Sequence, residues 1–223
     1  MRILGIFSFV VMFAALVSGE LQAASKGDAQ KGRVIAENCA GCHGVDGETK
    51  IEGFPILAGQ KYKYMVKQLR EMRTSAKIRA GTKVFMSRDP SSLARARRSN
   101  DIMDPFVIDL SDTDIEDVSA YYASLKCRAI MDAPPLPAPK LEIRCQICHG
   151  KRGVAKNSNI PDIAGQDFTY LQQQMLNFRS AKLQAGDGQE RRRSAIMEGQ
   201  AAKLSDKDIS ELSLYYSRLP CGG

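Results

Sequence analysis

The chain has 223 residues, six cysteines, only two histidines and a formal net charge of +7. This length is enough for one large or two small domains. After residue 17 no stretch is apolar enough to span a bilayer, which excludes a protein with several membrane-spanning helices.

The N-terminus has the three parts of a secretory signal. A charged start at Arg2 precedes an apolar run, Ile3 to Val17, and small residues follow at Ala23 to Ser25. This order predicts a signal peptide over residues 1–24 and a periplasmic mature protein. A retained membrane anchor is the alternative, but the run is shorter than the roughly 20 residues that a span needs.

Two segments, Cys39–His43 and Cys145–His149, share the pattern C-x-x-C-H. This pattern attaches haem c: two thiols form thioethers with the haem vinyls, and the His is an axial iron ligand. A redox dithiol, or a structural zinc shared by both segments, is the alternative. The repeated His and the export signal favour two covalent haem groups. The predicted thioether cysteines are Cys39, Cys42, Cys145 and Cys148, and the predicted iron ligands are His43 and His149.

An internal repeat divides the chain. Phe54–Gln60 (FPILAGQ) recurs as Ile160–Gln166 (IPDIAGQ) at the 106-residue offset of the two haem motifs. Leu110–Ile115 (LSDTDI) recurs as Leu204–Ile209 (LSDKDI) at an offset of 94, so the first repeat is longer by about 12 residues. The repeat predicts two tandem haem domains, 25–132 and 140–223, joined by a proline-rich linker, 133–139.

The predicted fold class is all-α, because no alternating strand pattern is present. Asp28 is a cap for a helix over residues 29–39, and residues 61–75 and 167–181 form equivalent helices. Ser111 and Ser205 begin acidic capping boxes ahead of the last helix in each repeat. Few residues precede Cys145, so the N-terminal helix of the second domain is shortened to about one turn.

Methionine is the expected sixth ligand, since both histidines belong to the attachment motifs. Met65, Met72 and Met175 fall inside predicted helices, where core packing explains them. The remaining candidates are Met86, Met103, Met131 and Met197. Only Met103 and Met197 hold the same place in both repeats, seven residues before the LSD motif, and Met86 is the rival in the first domain.

Pro55 and Pro161 each lie 12 residues beyond a motif histidine. A metal-bound His commonly donates its other ring N–H to a carbonyl, and a proline carbonyl can accept that bond. A simple turn proline is the alternative, and the spacing alone leaves both open.

Together, CAGCHG, CQICHG, the two AGQ segments, Met103, Met197 and the pair LSDTDIEDVSAYYASL and LSDKDISELSLYYSRL resemble a class I cytochrome c duplicated in tandem, specifically the dihaem cytochrome c4 family. The resemblance covers nearly all of the mature chain. It implies His/Met ligation of both haems, with the Pro55 and Pro161 carbonyls orienting the histidines. It also implies a soluble or loosely membrane-associated periplasmic protein.

The resulting functional hypothesis is a respiratory one-electron carrier, not an enzyme, that delivers electrons to a terminal oxidase. Its donor would be a quinol-linked complex or a dehydrogenase. One alternative is the haem subunit of a periplasmic dehydrogenase, such as a sulfide-oxidising flavocytochrome. A dihaem peroxidase is a weaker alternative, since it needs an open iron and usually a further His.

Charge is uneven along the first repeat. Residues 61–98 contain 12 basic and two acidic residues, whereas the charged residues of 101–117 are all acidic. The basic run is either a docking patch for an acidic redox partner or an ordinary solvated surface. Nucleic acid is not expected as a partner of an exported haem protein.

Cys127 and Cys221 lie outside the haem motifs at equivalent repeat positions. In an oxidising compartment paired thiols tend to form disulfides, and equivalent sites meet if the domains are related by a two-fold axis near them. We therefore hypothesise an inter-domain disulfide. Two separate thiols are the alternative, because sequence cannot place the two Cα atoms.

Overall fold

The computed structural model describes residues 27–81, 98–128, 136–183 and 191–221. The predicted signal peptide, Met86, Met131 and residues 133–135 of the predicted linker lie outside this part of the chain.

Each repeat folds into a lobe of short helices, which confirms the all-α fold class. The first lobe contains α1 (Ala29–Ala36), α2 (Ala40–His43), α3 (Tyr62–Arg79), β1 (Arg98–Ser99), α4 (Asp104–Val107) and α5 (Asp112–Ser124). The second contains α6 (Glu142–His149), a 3₁₀ turn (Lys151–Gly153), α7 (Phe168–Leu183), β2 (Arg191–Arg192), α8 (Ala195–Ala201) and α9 (Asp206–Ser217).

The helix starts follow their caps. Asp28 accepts hydrogen bonds from the N–H groups of Gln30 and Lys31 at the start of α1. Ser111 and Ser205 form reciprocal capping boxes at the starts of α5 and α9, as predicted. A cap of this kind contributes about 1 kcal/mol and fixes where the helix begins.

α1 and α5 cross closely in the first lobe. A Cβ atom at Gly32 would lie 1.9 Å from the Asp117 carbonyl oxygen, so the crossing requires glycine. Among the described residues of the second lobe no helix repeats this crossing, and α6 begins at Glu142, three residues before Cys145. There the Tyr216 hydroxyl of α9 donates to the buried Glu142 carboxylate at 3.1 Å. The predicted shortening is therefore present.

The last helix of each lobe supplies its core. Ile115, Val118 and Tyr122 are buried on α5, and so are their counterparts Ile209, Leu212 and Tyr216 on α9. Equivalent arginines of the long helices anchor the segments that precede them: Arg73 donates to the Leu110 carbonyl at 2.7 Å, and Arg179 to the Leu204 carbonyl at 3.1 Å.

A short strand pair and a disulfide are among the connections between the lobes. β1 and β2 pair antiparallel, with Arg98 opposite Arg192 and Ser99 opposite Arg191. Sequence patterning did not predict these strands, because two residues are too few to show a period. Cys127 and Cys221 form a disulfide with Cα atoms 5.8 Å apart, which confirms the inter-domain hypothesis.

The disulfide closes a loop with a sequence separation of 94 residues. Replacing either cysteine by serine should lower the free energy of unfolding by up to about 4 kcal/mol, because the unfolded chain gains freedom. Denaturant unfolding of the holoprotein measures this loss.

The double variant is the matched control, since it removes the same single bond. It should lose no more stability than either single variant. Two reactive thiols per chain, found by labelling the unfolded but unreduced holoprotein, would contradict the disulfide.

Candidate haem sites

Both motif histidines occupy the same position in their lobes. His43 ends α2 and His149 ends α6, and their side chains are only 5% and 7% exposed. The Nδ1 of His43 lies 3.1 Å from the Pro55 carbonyl oxygen, and that of His149 lies 3.0 Å from the Pro161 carbonyl oxygen. A carbonyl only accepts, so Nδ1 carries the proton and donates in each pair. Nε2 is then the nitrogen available to a metal.

The state of His43 fits an iron ligand. Its Nε2 is buried and has no hydrogen-bond partner among the described residues. Burial lowers the pKa of His43, opposed by the Pro55 hydrogen bond, and the Arg98 charge lowers it further. Burial likewise lowers the pKa of His149. Both imidazoles are therefore neutral at pH 7, the form that can bind iron.

The four motif cysteines stand outside the disulfide. Burial raises the pKa of the Cys39 and Cys145 thiols, so both stay protonated at neutral pH. In each motif the second cysteine follows the first by three residues and the histidine by four, the spacing of neighbours on one helix face. Within the described ranges no three His, Cys, Asp or Glu side chains converge as a metal site.

Met103 and Met197 lie at equivalent starts of short helices. Met103 precedes α4 and packs against the cluster around Met72, and Met197 lies in the first turn of α8. Each follows the inter-lobe strand pair by five residues, counted from Arg98 and Arg192. Ligation by either methionine stays a prediction, and the rival Met86 lies outside the described residues.

A buried arginine pair at the lobe interface was not predicted. Arg98 is 5% exposed, donates to Gln68 and, at 3.0 Å, to the Tyr170 hydroxyl, and its buried Nε has no partner in the described segments. Arg192 also donates to Tyr170 and to Tyr64. A buried guanidinium with an unused N–H suits an anionic oxygen such as a haem propionate. The available signal was the repeat of Arg98 and Arg192 at a fixed distance before Met103 and Met197.

The same two charges act on Tyr170. Burial alone would raise the pKa of its hydroxyl, but Arg98 and Arg192 outweigh burial and lower that pKa. The two guanidinium charges therefore make the surroundings of Tyr170 positive, which favours an anionic group there.

The basic and acidic runs of the first lobe pair with each other in part. Three arginines of α3 form salt bridges with the acidic segment: Arg70 with Asp112 and Glu116, Arg73 with Asp112, and Arg79 with Asp101 and Asp104. These three arginines are thus paired within the chain, and the docking patch stays a prediction for the rest of the basic run. Residues 82–97 lie outside the described residues.

No helix in the described ranges is long and apolar enough to cross a membrane.

Comparison with known proteins identifies the family of the chain. A model of the cytochrome c family matches residues 29–126. Cytochrome c4 of Stutzerimonas stutzeri is 32% identical over 91% of this chain and 93% of its own length. A thiosulfate dehydrogenase electron acceptor of Stutzerimonas stutzeri strain A1501 is 28% identical over 92% of this chain and 91% of its own.

A solved structure extends the likeness to the fold. Reduced recombinant cytochrome c4 from Pseudomonas stutzeri superposes with a TM-score of 0.63, at 31% identity, over 86% of this chain and 99% of that one. The match spans both lobes. The chain therefore belongs to the dihaem cytochrome c4 family and binds two haem c groups covalently.

Proposed function

We propose that the protein is a periplasmic one-electron carrier that delivers electrons to a terminal respiratory oxidase. The observation that supports this most is the buried, neutral His43 with Nδ1 fixed by Pro55 and Nε2 unpaired, repeated in its main features at His149. When bound, the haems supply reversible one-electron exchange.

In this proposal the chain holds and closes both sites. Cys39 and Cys42, and their counterparts Cys145 and Cys148, form the thioethers. Met103 and Met197 complete the coordination and raise the reduction potential. A closed site leaves no position for a substrate, which suits a carrier and not an enzyme.

The family and the N-terminal sequence support the proposed location. We propose export to the periplasm with removal of residues 1–24, and domains over 25–132 and 140–223 joined by 133–139. Peripheral membrane association is compatible with the proposal. Covalent haem c attachment outside the cytoplasm agrees with an oxidising compartment and with the Cys127–Cys221 disulfide.

Replacing Met103 by Ala should remove half of the long-wavelength Met–iron absorption of the oxidised protein, and Met197→Ala the other half. Each variant opens one iron and leaves the other closed. Visible spectroscopy of the purified holoprotein measures both bands.

Met65→Leu is the matched control, because Met65 is buried in the first-lobe core and its replacement should leave both bands intact. Loss of a band in Met86→Ala, with the band retained in Met103→Ala, would show that the first-lobe assignment is wrong.

A second candidate function is acceptor of electrons from a periplasmic dehydrogenase. The relative named as a thiosulfate dehydrogenase electron acceptor favours it, since that protein matches both lobes and not one alone. The two functions share the same one-electron chemistry and differ in the partner that supplies or removes the electron.

Stopped-flow kinetics with two partners separate the candidates. The reduced protein should be reoxidised by terminal-oxidase membranes at a rate that rises with their concentration, and it should turn over peroxide only slowly. Rapid reduction by thiosulfate dehydrogenase with thiosulfate, without oxidation by the oxidase, would favour the second function. Enzyme-like peroxidase rates with both methionines intact would refute the carrier proposal.

A further inference from the structure

Two glutamine side chains cross the lobe interface and pair with the backbone of the opposite lobe. The Gln60 amide donates to the Asp162 carbonyl at 2.9 Å and accepts from the Asp162 N–H at 3.0 Å. Gln166 repeats this with Ile56, donating at 2.9 Å and accepting at 2.7 Å. Both glutamines are buried, 8% and 7% exposed. In each lobe, therefore, one glutamine side chain makes two hydrogen bonds with the backbone of a single residue of the other lobe.

Ile56 and Asp162, which these glutamines bind, directly follow the two prolines whose carbonyls accept hydrogen bonds from the motif histidines. The Pro55 carbonyl and the Ile56 N–H belong to one planar peptide group. The carbonyl of that group accepts from His43, and its N–H donates to Gln166. In the second lobe the Pro161 carbonyl accepts from His149, and the N–H of Asp162 donates to Gln60. A continuous hydrogen-bonded chain thus runs from each histidine to a glutamine of the opposite lobe.

We propose that Gln60 and Gln166 are positioning residues that act across the interface, each tuning the iron of the opposite lobe through the peptide that its histidine binds. The proposal rests on ligation of the irons by His43 and His149, as proposed above. It names residues that the motif analysis recorded only as part of a repeated AGQ segment.

The physical reason is cooperativity along the chain of bonds. A peptide whose N–H donates to Gln166 is polarised, and its carbonyl becomes a stronger acceptor. A stronger acceptor draws the Nδ1 proton of His43 and makes the ring a more basic ligand. A more basic ligand stabilises the oxidised iron. Loss of the glutamine bond should therefore raise the reduction potential of the haem in the opposite lobe.

The surrounding backbone fixes both glutamines. Gly59 and Gly165 precede them with φ of +69° and +67°, a conformation that favours glycine. Their N–H groups donate to the carbonyls of Tyr122 and Tyr216 at 2.9 Å. A Cβ atom at Gly165 would lie 2.5 Å from the Cβ of Cys221, so the chain passes directly against the disulfide. The AGQ segment and the disulfide together hold the amides against the opposite lobe.

The chain offers a sharp test because it contains only two histidines. In the reduced holoprotein labelled with ¹⁵N-histidine, NMR should show two ring Nδ1–H signals, one from each lobe. The signal of His43 is assigned by its NOE to Phe54, whose ring is 6.2 Å from the His43 ring between centroids.

Gln166→Leu should move the His43 Nδ1–H signal upfield and leave that of His149 in place, and Gln60→Leu should do the reverse. In a redox titration followed by the haem methyl signals, the potential should rise only in the lobe opposite the substitution. The matched control is Thr169→Val, which removes an inter-lobe hydrogen bond to Glu52 of 2.6 Å outside both chains of bonds. It should move neither signal.

A shift of both signals together, a shift in the substituted lobe, or no shift would overturn the proposal, because a merely structural role predicts one of these. If the leucine variants fail to fold, amide exchange in the unmodified holoprotein decides, and fast exchange at Ile56 and Asp162 would refute the bonds. Absence of the two iron-bound histidine signals from the unmodified protein would instead refute the ligation on which the proposal rests.

Discussion

The peptide group between Pro55 and Ile56, with its equivalent between Pro161 and Asp162, is the constraint on which the rest of the structure depends. Its carbonyl accepts a hydrogen bond from the motif histidine, and its N–H donates to a glutamine of the opposite lobe. A shift of one lobe against the other would strain the histidine bond. The orientation of each histidine therefore depends on how the two lobes are arranged.

Other features of the interface restrict the same movement. The disulfide ties the segments that follow α5 and α9, and the β1–β2 pair ties the segments that lead to Met103 and Met197. Each candidate ligand pair thus has an inter-lobe bond close to it in the chain. The buried polar groups of the interface include the two glutamines, whose hydrogen bonds cross between the lobes. Such groups are costly if left unpaired, so their bonds also oppose a shift of one lobe against the other.

The two lobes share their repeated segments but differ in charge at equivalent positions. Ile56 in the first lobe corresponds to Asp162 in the second, whose carboxylate lies 3.1 Å from the Lys61 ammonium group across the interface. Ala36 corresponds to Glu142, which is buried beside Tyr216. The second lobe therefore has two buried carboxylates at positions where the first lobe has apolar side chains, so the two lobes differ in local charge.

Local chemistry was predictable from the sequence, and inter-lobe chemistry was mostly not. The caps at Ser111 and Ser205 depend on neighbours three residues away, and the proline carbonyls lie at fixed distances from the motif histidines. The Cys127–Cys221 bond was inferable only because repeat symmetry pairs equivalent positions. By contrast, the pairing of Arg70 and Arg73 with the acidic run depends on how α3 packs against α5, which the charge pattern of the sequence does not record.

The glutamine contacts and the Arg98–Arg192 pairing also depend on how distant parts of the chain pack together. Each joins residues about 100 positions apart through one or two bonds, and no periodicity records such a contact. The sequence indicated these contacts only through residues, such as Gln60 and Gln166, that recur in both repeats without a local structural reason.

Movement of a single electron between the two haems tests most directly whether the lobes form one rigid two-centre carrier. After photochemical delivery of less than one electron per molecule, absorption and NMR would follow its redistribution at several protein concentrations. A fixed interface predicts first-order exchange with a rate independent of protein concentration. A rate proportional to protein concentration would show exchange between molecules, and it would contradict the two-centre carrier.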